Sequence, residues 1–496
     1  MMTMLADTRS ATIERPADSS VGWSENRLIY VVLALVLVIF LVFGLVEVYR
    51  AEGLFSYDPY YHMNLSQLLE REQEIVTEID FYEGSNPPQY LTSMQLLTVL
   101  IHKYTGLSYM TIYRTFGLFC RIFAALALFI TAAYFLGSKR YALVAVILFL
   151  SAPYIFLRSL ISYPENLVLP FHILIFGSIV KGLREKRADP ALPLFISAAL
   201  YIHYRSLVIP AVLLILYVVF RKSIKHALAV AATTAVLSAP ILFSAVDQYM
   251  KYLNVNVGPG ARWKPFATGT SYIVPTLNYY IAQLGVLLIL FTLLGLFFLL
   301  RRMDGPKFIL LVWLVFAFIL TRGKEVGLFI PTDRMLAYLC VPAALVSALF
   351  LKEALEAATL SSRARTALVC LVALSLVFFL AVNLPAVQGW VGIGRDQRNA
   401  AAWLNENVED SAVMVPFRVD LVTIGVNKYG NIAFLNAEEW EGVFDAPQGV
   451  GERLRERLPG KDIYVVVGIE GFQVHDARLV FKDGKIKVYY YEGENA

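Results

Sequence analysis

Apolar residues in this chain run in blocks of roughly 13 to 27, separated by short basic stretches, and this pattern leaves few folds open. A bilayer-crossing helix needs about 20 predominantly apolar residues, whereas a soluble helix repeats its apolar positions every three or four. Hydrophobic residues make up 58% of the chain and charged residues only 17%, against ~45–50% and ~25% in soluble proteins. So few charges cannot clothe a soluble surface on 496 residues. The sequence therefore predicts a polytopic α-helical membrane protein.

Candidate spans fall at 28–48, 110–136, 141–156, 165–180, 191–203, 206–220, 227–246, 276–300, 308–321, 335–351 and 366–385, about eleven transmembrane helices. The spans 191–203 and 206–220 also read as one long broken helix, but merging them inverts every later loop against the charge bias. With the polar residues 1–27 in the cytoplasm, each inward loop is basic: Lys139 and Arg140; Lys181, Arg184, Lys186 and Arg187; Arg221, Lys222 and Lys225; Arg301, Arg302 and Lys307; Lys352, Arg363 and Arg365. That alternation is what the positive-inside rule requires. The first apolar block lacks a small-residue cleavage site after it and reads as an anchor, not a cleaved signal peptide. Cys120, Cys340 and Cys370 all lie in apolar segments, so neither a disulfide framework nor a zinc knuckle is expected. A net charge of +4 argues against a nucleic-acid partner.

Two segments stand outside the membrane module of residues 28–385. One is the first external loop, 49–108, with an amphipathic stretch over 63–74 and an Asn86-Pro87-Pro88 turn. The other is the tail, 386–496, which reads as a small extracytoplasmic α/β domain. Helices are expected over 398–407 and 450–458, strands over 412–415, 432–435 and 463–469, and a hairpin turning at Asp483-Gly484.

Polar residues outside the basic loops gather at the external turns. Asp58 and His62 follow the first span, Arg158 and Glu165 bracket the third and fourth, His203 and Arg205 lie between the fifth and sixth, and Asp333 and Arg334 precede the tenth. Ionisable groups at membrane depth are expensive, so four such turns at one face point to a shared site. Asp58, Glu165 and His62 suit a general base on an acceptor hydroxyl, or hard ligands to a divalent ion. Arg158, Arg205 and Arg334 present planar donors matched to phosphate. A phosphate held at a membrane face beside an apolar surface describes a lipid-phosphate substrate.

Asp58-Pro59-Tyr60-Tyr61-His62, directly after a first span, resembles the first-loop acidic motif of the archaeal oligosaccharyltransferase catalytic subunit, within the GT-C class of polyprenyl-phosphate-dependent glycosyltransferases. Leu157-Arg158-Ser159 with Tyr163-Pro164-Glu165-Asn166 stands where that family has its second acidic motif. Asp333-Arg334-Met335 resembles its phosphate-contacting arginine, and residues 402–407 with 412–415 resemble the opening of its C-terminal domain. The resemblance implies a GT-C-like fold, Asp58 and Glu165 as catalytic acids, and substrate contacts from Arg334, Arg158, Arg205, His203, His62 and Tyr61. Three departures accompany it. Pro416-Phe417-Arg418-Val419-Asp420 stands where the family has the Trp-Trp-Asp-Tyr-Gly that reads the acceptor Ser or Thr. The stretch 269–275 lacks the family's loop carboxylate, and Glu165 is followed by Asn166 where the family has an Asp or His. No cofactor is therefore certain from the sequence; Asp58 and Glu165 are the ligands it offers to Mn2+ or Mg2+.

The function expected is transfer of a sugar from a polyprenyl (dolichyl) phosphate or diphosphate donor to a glycan, lipid or protein acceptor on the external face of the bilayer. A protein N-glycosylating oligosaccharyltransferase with a diverged acceptor pocket is the nearest alternative. A transporter or lipid flippase is the alternative from another class. Transporters show inverted repeats and broken helices meeting near the midplane, whereas here the polar residues gather at one face and no repeat is visible.

Overall fold

A computed structural model of the chain describes residues 23–51, 53–55, 58–73, 79–81, 84–86, 93–187, 189–203, 208–221, 225–226, 228–240, 275–301, 303–326, 332–357, 361, 363, 367–368, 371–372, 395–408, 413–417, 433–434, 449–457, 460, 462–468, 473–474 and 476–492. In chain order the elements of the membrane region are α1 (Trp23–Arg50), α2 (Asp58–Glu72), the short hairpin β1 (Ile79–Phe81) and β2 (Gly84–Asn86), α3 (Ser93–Thr105), α4 (Tyr109–Leu136), α5 (Lys139–Leu150), α6 (Pro153–Ser159) and α7 (Pro164–Arg184). Then come α8 (Ala191–His203), α9 (Val208–Arg221), α10 (Leu228–Pro240), α11 (Leu277–Leu284), α12 (Val286–Arg301), α13 (Gly305–Thr321) and α14 (Thr332–Glu356).

By length and composition, four of these helices can cross a bilayer among the described residues, Asn26–Arg50, Tyr109–Leu136, Pro164–Arg184 and Arg334–Glu356, or six if each of two bent pairs is one span. With the shorter apolar helices α8, α9, α10 and α13 between them, the chain is a multi-pass helical membrane protein. Two expected spans are bent. The block 141–156 is not one helix: α5 and α6 meet at 70°. Ser151 closes α5 by donating its backbone N–H to Ile147 O at 2.9 Å, and Pro153 begins α6, where a missing N–H costs nothing. The block 276–300 also breaks, with 105° between α11 and α12. Gly285 makes that corner at φ +83°, a conformation open to glycine. The segments 191–203 and 206–220 correspond to the separate helices α8 and α9, while the span expected at 366–385 lies mostly outside the described residues.

Helix α14 is central and α1 peripheral, since 78% of the apolar window of the first is buried against 33% of the second. Glycines allow close approach: a Cβ on Gly177 of α7 would meet Thr131 Oγ1 of α4 at 2.5 Å, and Gly295 of α12 lies directly on the Val346 backbone of α14. At the C-terminal end of α4, Arg184 Nη2 and Lys352 Nζ donate to the carbonyls of Phe135 and Leu136, each at 2.7 Å. Cations there complement the helix dipole. The C-terminal ends of α4, α7 and α14 thus share one end of the bundle, and the starts of α7 and α14 lie together at the other.

Beyond α14 follow α15 (Arg395–Asn407), β3 (Val413–Phe417), β4 (Ala433–Phe434), α16 (Val450–Arg457), β5 (Ile463–Val467), β6 (Arg478–Asp483) and β7 (Ile486–Tyr491). The five strands order as β4-β3-β5-β7-β6, with β3 parallel to β4 and β5, and β7 antiparallel to β5 and β6. The strands and the Asp483-Gly484 hairpin fall where the alternation of apolar residues places them, and both helices overlap their expected ranges. One apolar cluster joins Leu404, Val466 and Val488 of this region to Tyr60 and Met63 of α2 and Tyr113 of α4.

Candidate active site

Glu165 stands in the first turn of α7, where an acid complements the helix dipole, and Arg334 stands near the start of α14. Arg334 Nη1 donates to Glu165 Oε1 at 2.6 Å, with the two side chains 19% and 13% exposed. His203, the last residue of α8, places Nε2 3.7 Å from the same oxygen. Among the described residues Glu165 Oε2 is buried without a hydrogen-bond partner. A carboxylate held through one oxygen by a guanidinium keeps the other oxygen able to accept a hydroxyl proton.

Arg158 ends α6 and is buried. Its Nε donates to Tyr154 Oη at 2.7 Å, and its guanidinium lies 4.7 Å from the centre of the Tyr163 ring. Arg334 lies 5.8 Å from that same ring centre. Tyr163 is therefore a shared wall for two cations. The turn carrying these residues is fixed from within. Asn166 Nδ2 donates to Arg158 O at 2.8 Å and Ile161 O at 2.5 Å, while Arg121 Nη2 of α4 donates to Asn166 Oδ1 at 2.6 Å. Ser162 Oγ donates to Tyr113 O at 2.5 Å and accepts the Gly117 N–H at 3.2 Å. A side chain at Gly117 would strike the carbonyls of Ser159 and Ile161, so its absence lets the turn lie on α4.

Asp58 opens α2 and His62 follows one turn later. His62 is buried, its Nδ1 2.7 Å from Gln95 Nε2 of α3. Burial pushes this imidazole down to about 3, a shift that Arg334 and His203 reinforce and Glu165 opposes. His62 is consequently neutral at physiological pH.

Glu165, Arg334, His203 and Arg158 are brought together, with His62 in electrostatic reach. Arg205 and the side chains of Asp58 and Tyr61 lie outside the described residues. Tyr154, Tyr163, Asn166, Arg121 and Gln95 escaped the sequence reading as site residues. Only Arg121 carried a usable signal there, a charge in the interior of an apolar block.

Among the described residues no three His, Cys, Asp or Glu side chains converge as a metal-binding group. Glu165 Oε1 is engaged by Arg334, and the amide of Asn166 is turned to Arg121 and two carbonyls. The side chain of Asp58, the other acid expected to hold Mn2+ or Mg2+, lies outside the described residues, and the chemistry below is built on the protein's own groups.

No protein-family model matches the chain, and no curated protein matches it. Solved structures do. The archaeal oligosaccharyltransferase AglB from Archaeoglobus fulgidus, in complex with an inhibitory peptide and a dolichol-phosphate, matches with a TM-score of 0.64 at 13% identity, over 90% of this chain and 70% of that one. ArnT from Cupriavidus metallidurans bound to undecaprenyl phosphate gives 0.64 at 11% identity, over 92% and 97%. The arabinofuranosyltransferase AftD from Mycobacteria gives 0.58 at 12% identity, over 93% of this chain and 40% of that one. At these identities the likeness is one of fold: the chain has the fold of GT-C glycosyltransferases.

Proposed function

We propose that the protein is a membrane glycosyltransferase that passes a sugar from a polyprenyl phosphate or diphosphate donor to an acceptor hydroxyl at the external face of the bilayer. The observation that carries this reading is the Glu165–Arg334 pair beside Arg158 and His203. It sets a carboxylate oxygen that has no partner among the described residues next to guanidiniums, in a fold shared with a dolichol-phosphate complex and an undecaprenyl phosphate complex.

In the proposed step the acceptor hydroxyl oxygen attacks the anomeric carbon. The bond from that carbon to the donor's phosphate oxygen breaks, the proton passes to a carboxylate, and the lipid phosphate leaves with the bonding pair. Asp58 and Glu165 are the acids assigned to the proton; Arg334 and Arg158 stabilise the charge gathering on phosphate. Arg205, Tyr61, His62 and His203 complete the substrate contacts. In the topology that accompanies this reading, eleven spans run from a cytoplasmic N-terminus, and residues 386–496 form an extracytoplasmic domain beside the site.

The missing acceptor-reading motif favours a hydroxyl acceptor, a growing lipid-linked or protein-linked glycan, over a peptide asparagine. Purified protein given a lipid-linked sugar is expected to glycosylate a hydroxyl acceptor and to leave an Asn-X-Thr peptide unmodified. Transfer to that asparagine, abolished by changing the peptide's Thr to Ala, would establish the oligosaccharyltransferase alternative instead.

A further inference from the structure

The proposed step gives His62 a substrate contact and assigns no role to the groups that hold it. His62 is held twice. Its backbone carbonyl accepts from Ser66 Oγ at 3.0 Å and from Tyr113 Oη at 2.8 Å. Ser66 Oγ is also 2.8 Å from Thr98 Oγ1 and 2.8 Å from Tyr113 Oη, and Thr98 Oγ1 donates to Gln95 O at 2.8 Å. These contacts tie α2 to α3 and α4. The ring itself is gripped by Gln95, whose side-chain nitrogen lies 2.7 Å from Nδ1. Both side chains are almost wholly buried.

An amide nitrogen carries only hydrogens and has no lone pair to offer. Nδ1 facing it must accept, so the ring proton sits on Nε2. We infer that Gln95 is a positioning residue that fixes His62 as the Nε2–H tautomer, so that His62 enters the transfer as a neutral hydrogen-bond donor to an oxygen of the donor's phosphate or sugar. This rests on the proposed glycosyl transfer for the identity of the oxygen, but not for the tautomer. His62 stands one helical turn after Asp58, an acid assigned to the proposed step, and so belongs to the α2 side of the same site. A locked neutral donor is useful beside guanidiniums, because it adds a hydrogen bond to an anionic group without adding positive charge that has to be buried.

Nitrogen-15 spectra of histidine-labelled protein, with the His62 signals assigned by their loss in His62→Asn, read the tautomer in the wild type without any activity. The expected result is a protonated Nε2 and an unprotonated Nδ1 that stay so from neutral pH down to about pH 5. Gln95→Glu keeps the shape and offers a carboxylate that accepts from Nδ1–H. It is expected to move the proton to Nδ1 and to lower turnover about tenfold or more, the equivalent of ~1.4 kcal/mol for one lost hydrogen bond. A wild-type spectrum showing Nδ1–H overturns the assignment outright. Proton transfer to Nδ1 in the variant with unchanged turnover overturns the donor role. Failure of the wild type to transfer sugar, with the Nε2–H signature present, counts against the glycosyltransferase reading and not against the tautomer.

Discussion

Glu165→Gln has two effects of opposite sign, and together they test how the site works. In the resting chain a lipid phosphate competes with a carboxylate for Arg334, because Nη1 already donates to Glu165 Oε1 at 2.6 Å. A hydrogen bond to a charged group nets roughly 1.5–3 kcal/mol, and one to a neutral amide oxygen about 1 kcal/mol. The variant therefore lowers the cost of displacement by about 0.5–2 kcal/mol, which at ~1.4 kcal/mol per factor of ten tightens phosphate binding roughly 2- to 30-fold. Loss of repulsion between carboxylate and phosphate acts in the same direction. Turnover moves the other way, by the ~10²–10⁴ of a lost general base. The assay is calorimetric titration of detergent-purified protein with a short-chain polyprenyl phosphate that carries no sugar, beside steady-state transfer from a lipid-linked sugar. Phosphate binding weakened tenfold or more in the variant would mean that the carboxylate supports the donor, as through a bridging cation, and would refute the competition read from the pair.

Asp58→Asn removes charge and basicity while keeping shape, and transfer is expected to fall by ~10²–10⁴; near-normal turnover in the same steady-state assay would remove that carboxylate from the step. Asn166→Ala orphans the Arg121 donor and the Ile161 carbonyl, while the Arg158 carbonyl keeps the Ile161 N–H at 3.3 Å. At about 1–3 kcal/mol for each orphaned group, its thermal unfolding midpoint should drop visibly, and an unshifted midpoint would contradict the role given to that amide. His62 is held near 3 against an ordinary 6.5, so between those values the unfolded chain binds a proton that the folded chain does not. Stability should fall with falling pH by about 1.4 kcal/mol per unit in that window, and His62→Gln should lose less than the wild type between pH 7 and pH 4.5; equal losses would count against it. For the topology, Lys461→Cys in a background lacking the native cysteines is expected to react with an impermeant thiol reagent from the external side, and reaction from the cytoplasmic side alone would invert the arrangement.

How much of this was legible in the sequence follows from what each feature depends on. A membrane helix is announced by its own residues, because length and apolarity suffice, so α1, α4, α7 and α14 stand where the apolar blocks do. The corners at Pro153 and Gly285 were not legible, since the residues on both sides are equally apolar and only the packing decides whether the chain turns. Glu165, Arg158, His203 and Arg334 could be picked out because charge at membrane depth is conspicuous against an apolar background. Gln95 and Tyr154 could not, because an amide or a phenol is ordinary in sequence and acquires its role from the partner that the fold brings to it. Asn166 shows how resemblance to a family can point at the right position and suggest the wrong reason. Beside Glu165 it reads as a lost acid or histidine. In the folded chain it needs an oxygen to accept from Arg121 and two N–H groups to satisfy the carbonyls of Arg158 and Ile161. A carboxylate has no donor to give those carbonyls and an imidazole cannot supply two donors and an acceptor at once, whereas a primary amide does both. The asparagine is therefore explained by the turn it braces, and that turn is what holds Glu165 toward Arg334.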